Sequence, residues 1–206
     1  MNSKKLLPVL QNKIESLDNG SLTESRKVKL QTLIDYIQQK YDKGQTLALN
    51  FICTHNSRRS QFAQLWAQVF ADFHDIPLKS YSGGVEVTTL HENTLKTIVE
   101  EGFLVDFEAG CNPEYSIQFS EKGEVLKMFS KLYDHPVNPA TDFAAVMTCD
   151  HADENCPFVV GASKRISITY EDPKKYDGTP QQDMEYKNCS DLIARELKYV
   201  FSQINA

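Results

Sequence analysis

The chain has 206 residues, 41% of them hydrophobic, enough to bury one good-sized core, so a single domain with an appendage is the expected organisation. A formal net charge of -6 excludes a broad nucleic-acid-binding surface, which needs a basic excess to displace counterions, so any anion site must be local. No apolar run approaches the roughly 20 residues that cross a bilayer, and Leu6-Leu7-Pro8-Val9-Leu10 is too short and Pro-interrupted for a secretory signal, so no membrane partner and a cytoplasmic location are expected.

In chain order, Ser21-Leu22-Thr23-Glu24 reads as a capping box that starts a helix. Leu30, Leu33, Ile34, Ile37 and Tyr41 share one face of it, and Lys43-Gly44 closes it. With a weaker helix before Asn19-Gly20, residues 1–44 read as an N-terminal helical hairpin whose apolar stripe must pack on the main domain or on a partner.

Residues 45–206 read as the main domain. Short apolar runs at 46–52, 79–82, 143–148 and 165–170 have the pattern of buried strands, and helical patterns fall at about 60–74, 89–101 and 188–204. This alternation predicts an α/β fold, an open parallel sheet of about four strands with helices on both faces. Ligands of such sheets sit at the carboxyl ends of strands, where the loop after Ile52 lies. Residues 103–142 are too long for a plain connection. Alternating Tyr115, Ile117 and Phe119, then Glu121-Lys122-Gly123-Glu124, then 125–129, predict an inserted β-hairpin.

Five cysteines are too few and too unevenly spaced for a secreted disulfide framework, so each is weighed for reactivity or metal binding. The loop Cys53-Thr54-His55-Asn56-Ser57-Arg58-Arg59-Ser60 joins a strand to a helix and supplies what nucleophilic attack on a tetrahedral oxyanion needs. Its backbone amides and the helix amino end form a nest for the anion, and the same positive potential favours the Cys53 thiolate. Arg59 offers a planar fork for two oxygens. Ser60 is placed to donate to the Cys53 sulfur, and Asn56 to take a left-handed backbone conformation. The bland alternative is a strand-end cysteine before a basic helix turn. Two adjacent arginines there oppose the helix dipole unless an anion balances them.

From about residue 45 to 206 the chain resembles the low-molecular-weight protein tyrosine phosphatase family, whose loop reads Cys, five residues, Arg, Ser with a central Asn. His55 stands where that family usually has Gly. The family also carries an Asp-Pro pair on a later loop, matched here in Glu171-Asp172-Pro173. The resemblance implies that Asp172 is a general acid; taken alone, the dipeptide reads as a turn.

A further segment, Cys149-Asp150-His151-Ala152-Asp153-Glu154-Asn155-Cys156-Pro157, resembles the thioredoxin-coupled arsenate reductase branch of that family. That resemblance implies that Cys53 attacks arsenate, Cys149 attacks the Cys53 sulfur and releases arsenite, and Cys156 then attacks Cys149 to leave a disulfide for a thioredoxin-type reductant. Thr54, His55, Asn56, Ser57, Arg58 and Ser60 would bind the anion, and no cofactor or metal is implied. Arg58 and Gln64 depart from that branch, which often has a cysteine and an acidic residue linked to potassium there.

Other readings stay open. Cys149 and Cys156 are alternatively inert buried residues, or zinc ligands with His151 and Asp153, although the spacing matches no familiar closed site. The whole site is alternatively a phosphomonoester hydrolase using Cys53, Arg59 and Asp172, or a non-enzymatic oxyanion sensor. Cys111 and Cys189 match no motif, so packing or surface roles are expected for them.

Overall fold

The computed structural model describes residues 5–18, 22–123, 125–155 and 158–205. In chain order the elements are α1 (Pro8–Ser16), α2 (Glu24–Asp42), β1 (Leu47–Cys53), α3 (Arg59–Phe73), β2 (Leu78–Gly84), α4 (Glu92–Glu100), β3 (Leu104–Phe107), β4 (Tyr115–Gln118), β5 (Leu126–Met128), β6 (Phe143–Met147), α5 (Asp150–Asn155), β7 (Ala162–Ser167) and α6 (Gln182–Ser202).

All seven residues of β1 are buried, which suits an apolar run flanked on both edges. It pairs in parallel with β2 and with β6, and β7 extends the sheet beyond β6, giving the order β2-β1-β6-β7. Side chains alternate across the sheet. Leu47, Leu49 and Phe51 point into the larger core with Trp66, Phe70 and Ile193 from α3 and α6, while Ala48, Ile52 and Cys53 join Met147, Cys149, Ala152 and Val159 in a smaller one. Helices cover both faces as expected, but unequally, since the second face has only the short α5 with loop residues such as Tyr133.

The strand expected at 165–170 is displaced, because β7 begins at Ala162. The chain nevertheless stays paired to the end of the expected run, through Ile168 N to Met147 O at 2.9 Å and Tyr170 N to Thr148 O at 3.1 Å. The last helix begins at Gln182, before its apolar stripe. Asp183 and Glu185 in that first turn complement the helix dipole, a contribution that hydrophobic periodicity does not register.

The inserted hairpin is present as β4 and β5, and β3 adds a third antiparallel strand to it. Leu104 and Phe107 of β3 are exposed, so no burial pattern marks that strand in the sequence. Glu124 of its expected turn lies outside the described residues, as do Asn19-Gly20 and Ser21. The cap of α2 is Thr23, whose Oγ1 accepts from Arg26 N at 3.3 Å.

Both expected N-terminal helices exist, and they are held by the rest of the chain. Leu10 and Ile14 of α1 and Leu30, Leu33 and Ile37 of α2 belong to the same core as Trp66 and Phe201. Lys198 Nζ of α6 donates to the carbonyls of Ile14 and Leu17, each at 2.7 Å. Arg26 of α2 forks onto buried Glu196 of α6 and stacks over the Tyr170 ring at 4.9 Å. Among the described residues no helix is long and apolar enough to cross a membrane.

Candidate active site

Parallel pairing brings the carboxyl ends of β1 and β6 side by side. Ile52 is opposite Met147, so the chain leaves the sheet at Cys53 on one strand and at Thr148-Cys149 on the next. Thr148 seals the junction, its amide and hydroxyl both donating to Ile52 O, at 2.8 and 3.0 Å. Gly83 and Gly84 at the end of β2 let neighbouring backbone close in. A Cβ on Gly83 would lie 2.2 Å from Tyr133 Cα, and one on Gly84 2.7 Å from Thr54 O.

The carbonyls of the loop are engaged from outside. Thr54 O accepts from the amides of Val85 and Glu86, His55 O from the Ser130 hydroxyl at 2.8 Å, Asn56 O from Gln61 Nε2 at 2.9 Å, and Ser57 O from His91 N and Thr94 Oγ1. Among the described residues, the amides of His55, Asn56, Ser57 and Arg58 donate to no protein acceptor. Carbonyls tied outward beside unpaired amides and the start of α3 give the loop the geometry of an anion nest.

Asn56 is the keystone of that shape. Its φ of 48° is the expected left-handed conformation, and His55, the position occupied by Gly in the resembled family, has no positive φ. The Asn56 side chain is wholly buried, donates through Nδ2 to Ser60 Oγ at 2.9 Å and accepts from Lys131 N at 3.1 Å. Ser60 Oγ, which accepts from Asn56, lies 3.0 Å from Cys53 Sγ, and its own hydrogen is free to be donated to a Cys53 thiolate.

Arg59 and Asp172, predicted from distant parts of the chain, meet here. Arg59 donates through Nη1 to Tyr170 O at 2.9 Å and through Nη2 to Asp172 Oδ2 at 2.5 Å. The other carboxylate oxygen of Asp172 caps the 3-10 turn Pro173–Tyr176 by accepting from Lys174 N at 3.1 Å. Asp172 is thus both the turn former that the dipeptide suggested and a neighbour of the anion fork.

Arg58 behaves differently from its neighbour. Its guanidinium is buried, with Nε donating to Tyr186 Oη at 2.6 Å and Nη2 to Asp177 at 3.1 Å. What Arg58 offers an anion is therefore its amide, and its side chain ties the loop to α6. Burial pushes the Tyr186 hydroxyl up to about 12, so it keeps its proton and donates it to Asp177 at 2.8 Å. Neither Tyr186 nor Asp177 stood out in the sequence, where nothing distinguishes them from other polar residues near a helix start.

Cys149 is buried directly after β6, with its sulfur 3.5 Å from Thr54 Oγ1 and accepting from Ala152 N at 3.4 Å. His151 Nδ1 lies 3.3 Å from the same Thr54 hydroxyl. Asp153 turns to β7, where Ser167 Oγ donates to it at 2.6 Å and Arg165 pairs with it at 2.6 Å. Thus His151 and Asp153 engage different partners, and no cluster among the described residues is placed to hold a metal ion. Cys156 lies outside the described residues.

Gln64 spends its amide within the fold, accepting from Ser82 Oγ at 2.6 Å. The remaining cysteines are set apart. Cys111 is exposed, while burial pushes the Cys189 thiol up to about 12 and keeps it protonated.

No family model matches the chain. An arsenate reductase of Halalkalibacterium halodurans is 25% identical over 150 residues, covering 72% of this chain and 90% of that protein. Another, from Oceanobacillus iheyensis, is 28% identical over 150 residues with the same coverage of both chains. The chain is a relative of the arsenate reductases on the low-molecular-weight phosphatase fold. A solved arsenate reductase in its oxidised state shares that fold, with a TM-score of 0.51 at 16% identity over 77% of this chain and 98% of the other.

Proposed function

We propose that this arsenate reductase relative reduces arsenate to arsenite, with Cys53 as nucleophile and Cys149 and Cys156 as a disulfide relay. The observation that carries the proposal is the position of Cys149, buried at the end of the strand beside β1 and in contact with the residue that follows Cys53. A phosphate ester hydrolase requires only one thiol.

In this mechanism the Cys53 thiolate, held by Ser60, attacks arsenic as the As–O bond to a hydroxyl breaks, and that hydroxyl leaves as water with a proton from Asp172, which lies beside the Arg59 fork. The anion lies in the amide nest with Arg59 across its oxygens. Cys149 thiolate then attacks Cys53 Sγ. The S–As bond breaks with its electron pair on arsenic, which departs as arsenite, so two sulfurs are oxidised as one arsenic is reduced. Cys156 thiolate next attacks Cys149 Sγ and frees Cys53, leaving the Cys149–Cys156 disulfide for a thioredoxin-type dithiol in the cytoplasm. If residues 149–156 formed one regular helix, its seven-residue rise would set the two Cα atoms roughly 10 Å apart, beyond the approximate 7 Å limit for a disulfide, and the segment would have to unwind or loop out to form this bond.

A second reading has its own support. Arg59 beside Asp172 is the anion clamp and acid that hydrolysis of a phosphate monoester uses. Incubation with arsenate and a thioredoxin system, beside hydrolysis of a phosphotyrosine analogue, separates the two. On the reductase reading, wild type forms arsenite, Cys149→Ser and Cys156→Ser stop turnover, and both variants keep any ester hydrolysis. Absence of arsenate-dependent thiol loss in wild type would transfer the assignment to the hydrolase.

A further inference from the structure

We propose that His151 is the proton acceptor for the Cys149 thiol, acting through the hydroxyl of Thr54. The chemical consequence for arsenate rests on the reductase reading; the proton path itself does not. Cys149 has 1% of its surface exposed and sits in an apolar cluster with Ile52, Met147, Ala152 and Val159, so its thiol has no direct route to bulk water. A buried thiol that must act as a nucleophile needs a route for its proton, because the thiolate is the reactive species.

The route is a chain of three atoms. Cys149 Sγ is 3.5 Å from Thr54 Oγ1, and Thr54 Oγ1 is 3.3 Å from His151 Nδ1. A threonine hydroxyl has one hydrogen and two lone pairs, so it accepts from the thiol while donating to the imidazole. With its own proton on Nε2, neutral imidazole presents Nδ1 as the acceptor. The thiol proton passes to Thr54 as the original Thr54 proton passes to His151. Cys149 is left as thiolate and His151 as imidazolium, with no net charge created. Ala152 N already donates to Cys149 Sγ at 3.4 Å and remains as a donor to the thiolate. His151 is exposed, so its ring returns the proton to solvent after the thiolate has attacked Cys53 and released arsenite.

The remaining charged groups on α5 leave this path open. Asp153 is held by Arg165 and Ser167, and Asp150 and Glu154 make no contact with Thr54 or Cys149 among the described residues.

The test separates the proton path from the arsenic chemistry. In Cys53→Ser protein, the rate at which iodoacetamide alkylates Cys149 near neutral pH is followed by peptide mass spectrometry, with a melting curve to check each variant's fold. Adding His151→Ala is expected to slow alkylation about tenfold, and free imidazole is expected to restore it. Thr54→Val is expected to slow it similarly and Thr54→Ser to preserve it. An unchanged rate in His151→Ala, or a slow rate that imidazole fails to restore, overturns the proposal. In Cys156→Ser protein given one equivalent of arsenate, formation of the Cys53–Cys149 disulfide is expected to slow by the same factor on adding His151→Ala. If arsenate forms no disulfide but alkylation still depends on His151 and imidazole, the reductase reading fails while the proton path stands.

Discussion

Arg59 Nη2 donates to Asp172 Oδ2 at 2.5 Å, so the anion fork and the carboxylate of the Asp-Pro pair hold one another. On the proposed reading, an incoming tetrahedral oxyanion competes with Asp172 for this guanidinium. Asp172→Asn removes the competing charge and is expected to tighten inhibition by inorganic phosphate several-fold. The same variant is expected to slow hydrolysis of an ester with a poor leaving group by about 10²–10⁴, the usual range for a lost general acid. Weaker phosphate binding in Asp172→Asn would show that the carboxylate supports the bound anion. Arg59→Lys replaces the fork with a point charge and is expected to cost about 10²–10³ in turnover.

The contact from Ser60 to Cys53 concerns sulfur as a leaving group. At 3.0 Å, with Asn56 donating to its oxygen, the serine hydroxyl is placed to stabilise a sulfur anion. A hydrogen bond to a charged group is worth about 1.5–3 kcal/mol, so Ser60→Ala is expected to lose roughly 10- to 150-fold. The loss should fall on release of Cys53 from its adduct. Rapid-mixing kinetics would then show the covalent species accumulating; a slower first step without accumulation would count against this role.

Asn56 combines strain with two side-chain hydrogen bonds, and the two effects separate by substitution. Asn56→Gly relieves the cost of φ 48° but loses the bonds to Ser60 and Lys131, whereas Asn56→Ala loses the bonds and keeps the strain. Asn56→Ala is therefore expected to be less stable than Asn56→Gly by about 1–2 kcal/mol, the left-handed penalty of a residue with a Cβ. Urea unfolding of the pair measures the difference. Equal stabilities would show that the loop relaxes out of the left-handed conformation.

A pH dependence of stability is expected far from the loop Cys53–Ser60, where α1 docks. Glu101 is buried against Lys13 and accepts from Ser190 Oγ at 2.9 Å; burial pushes its carboxyl up to about 6, against the opposing pull of Lys13 and Ser190. Burial opposes the charge of Lys13 too, but Glu101 and Asp191 outweigh it and raise the lysine pKa. Both pKa values therefore rise, which disfavours the carboxylate and favours the ammonium, and the far more buried carboxyl decides the acid range. A carboxyl raised in the folded state favours folding below its unfolded value and loses that contribution as pH rises through about 6. The loss from this group amounts to about 2 kcal/mol. Glu101→Gln keeps a hydrogen-bonding group without the charge, so the unfolding midpoint should fall less steeply between about pH 4.5 and 6 than in wild type. Identical slopes would place the pH dependence elsewhere.

Periodicity and local chemistry were enough to read the parallel sheet, the helices that cover it, the loop from Cys53 to Ser60, and the left-handed Asn56. These features depend on neighbours in sequence. An apolar run marks a buried strand, and a loop of fixed length between strand and helix orders its own amides. What tertiary structure alone decided is which distant groups meet that loop. Arg58 and Arg59 are adjacent and chemically identical, yet one is clamped by Tyr186 and Asp177 while the other reaches Asp172. The difference comes from the direction in which each leaves the start of α3 and from what α6 and the Asp-Pro turn present there. Likewise, no spacing in the chain shows that Thr54 joins Cys149 to His151. That contact exists because parallel pairing of β1 with β6 brings residues 95 positions apart to one end of the sheet.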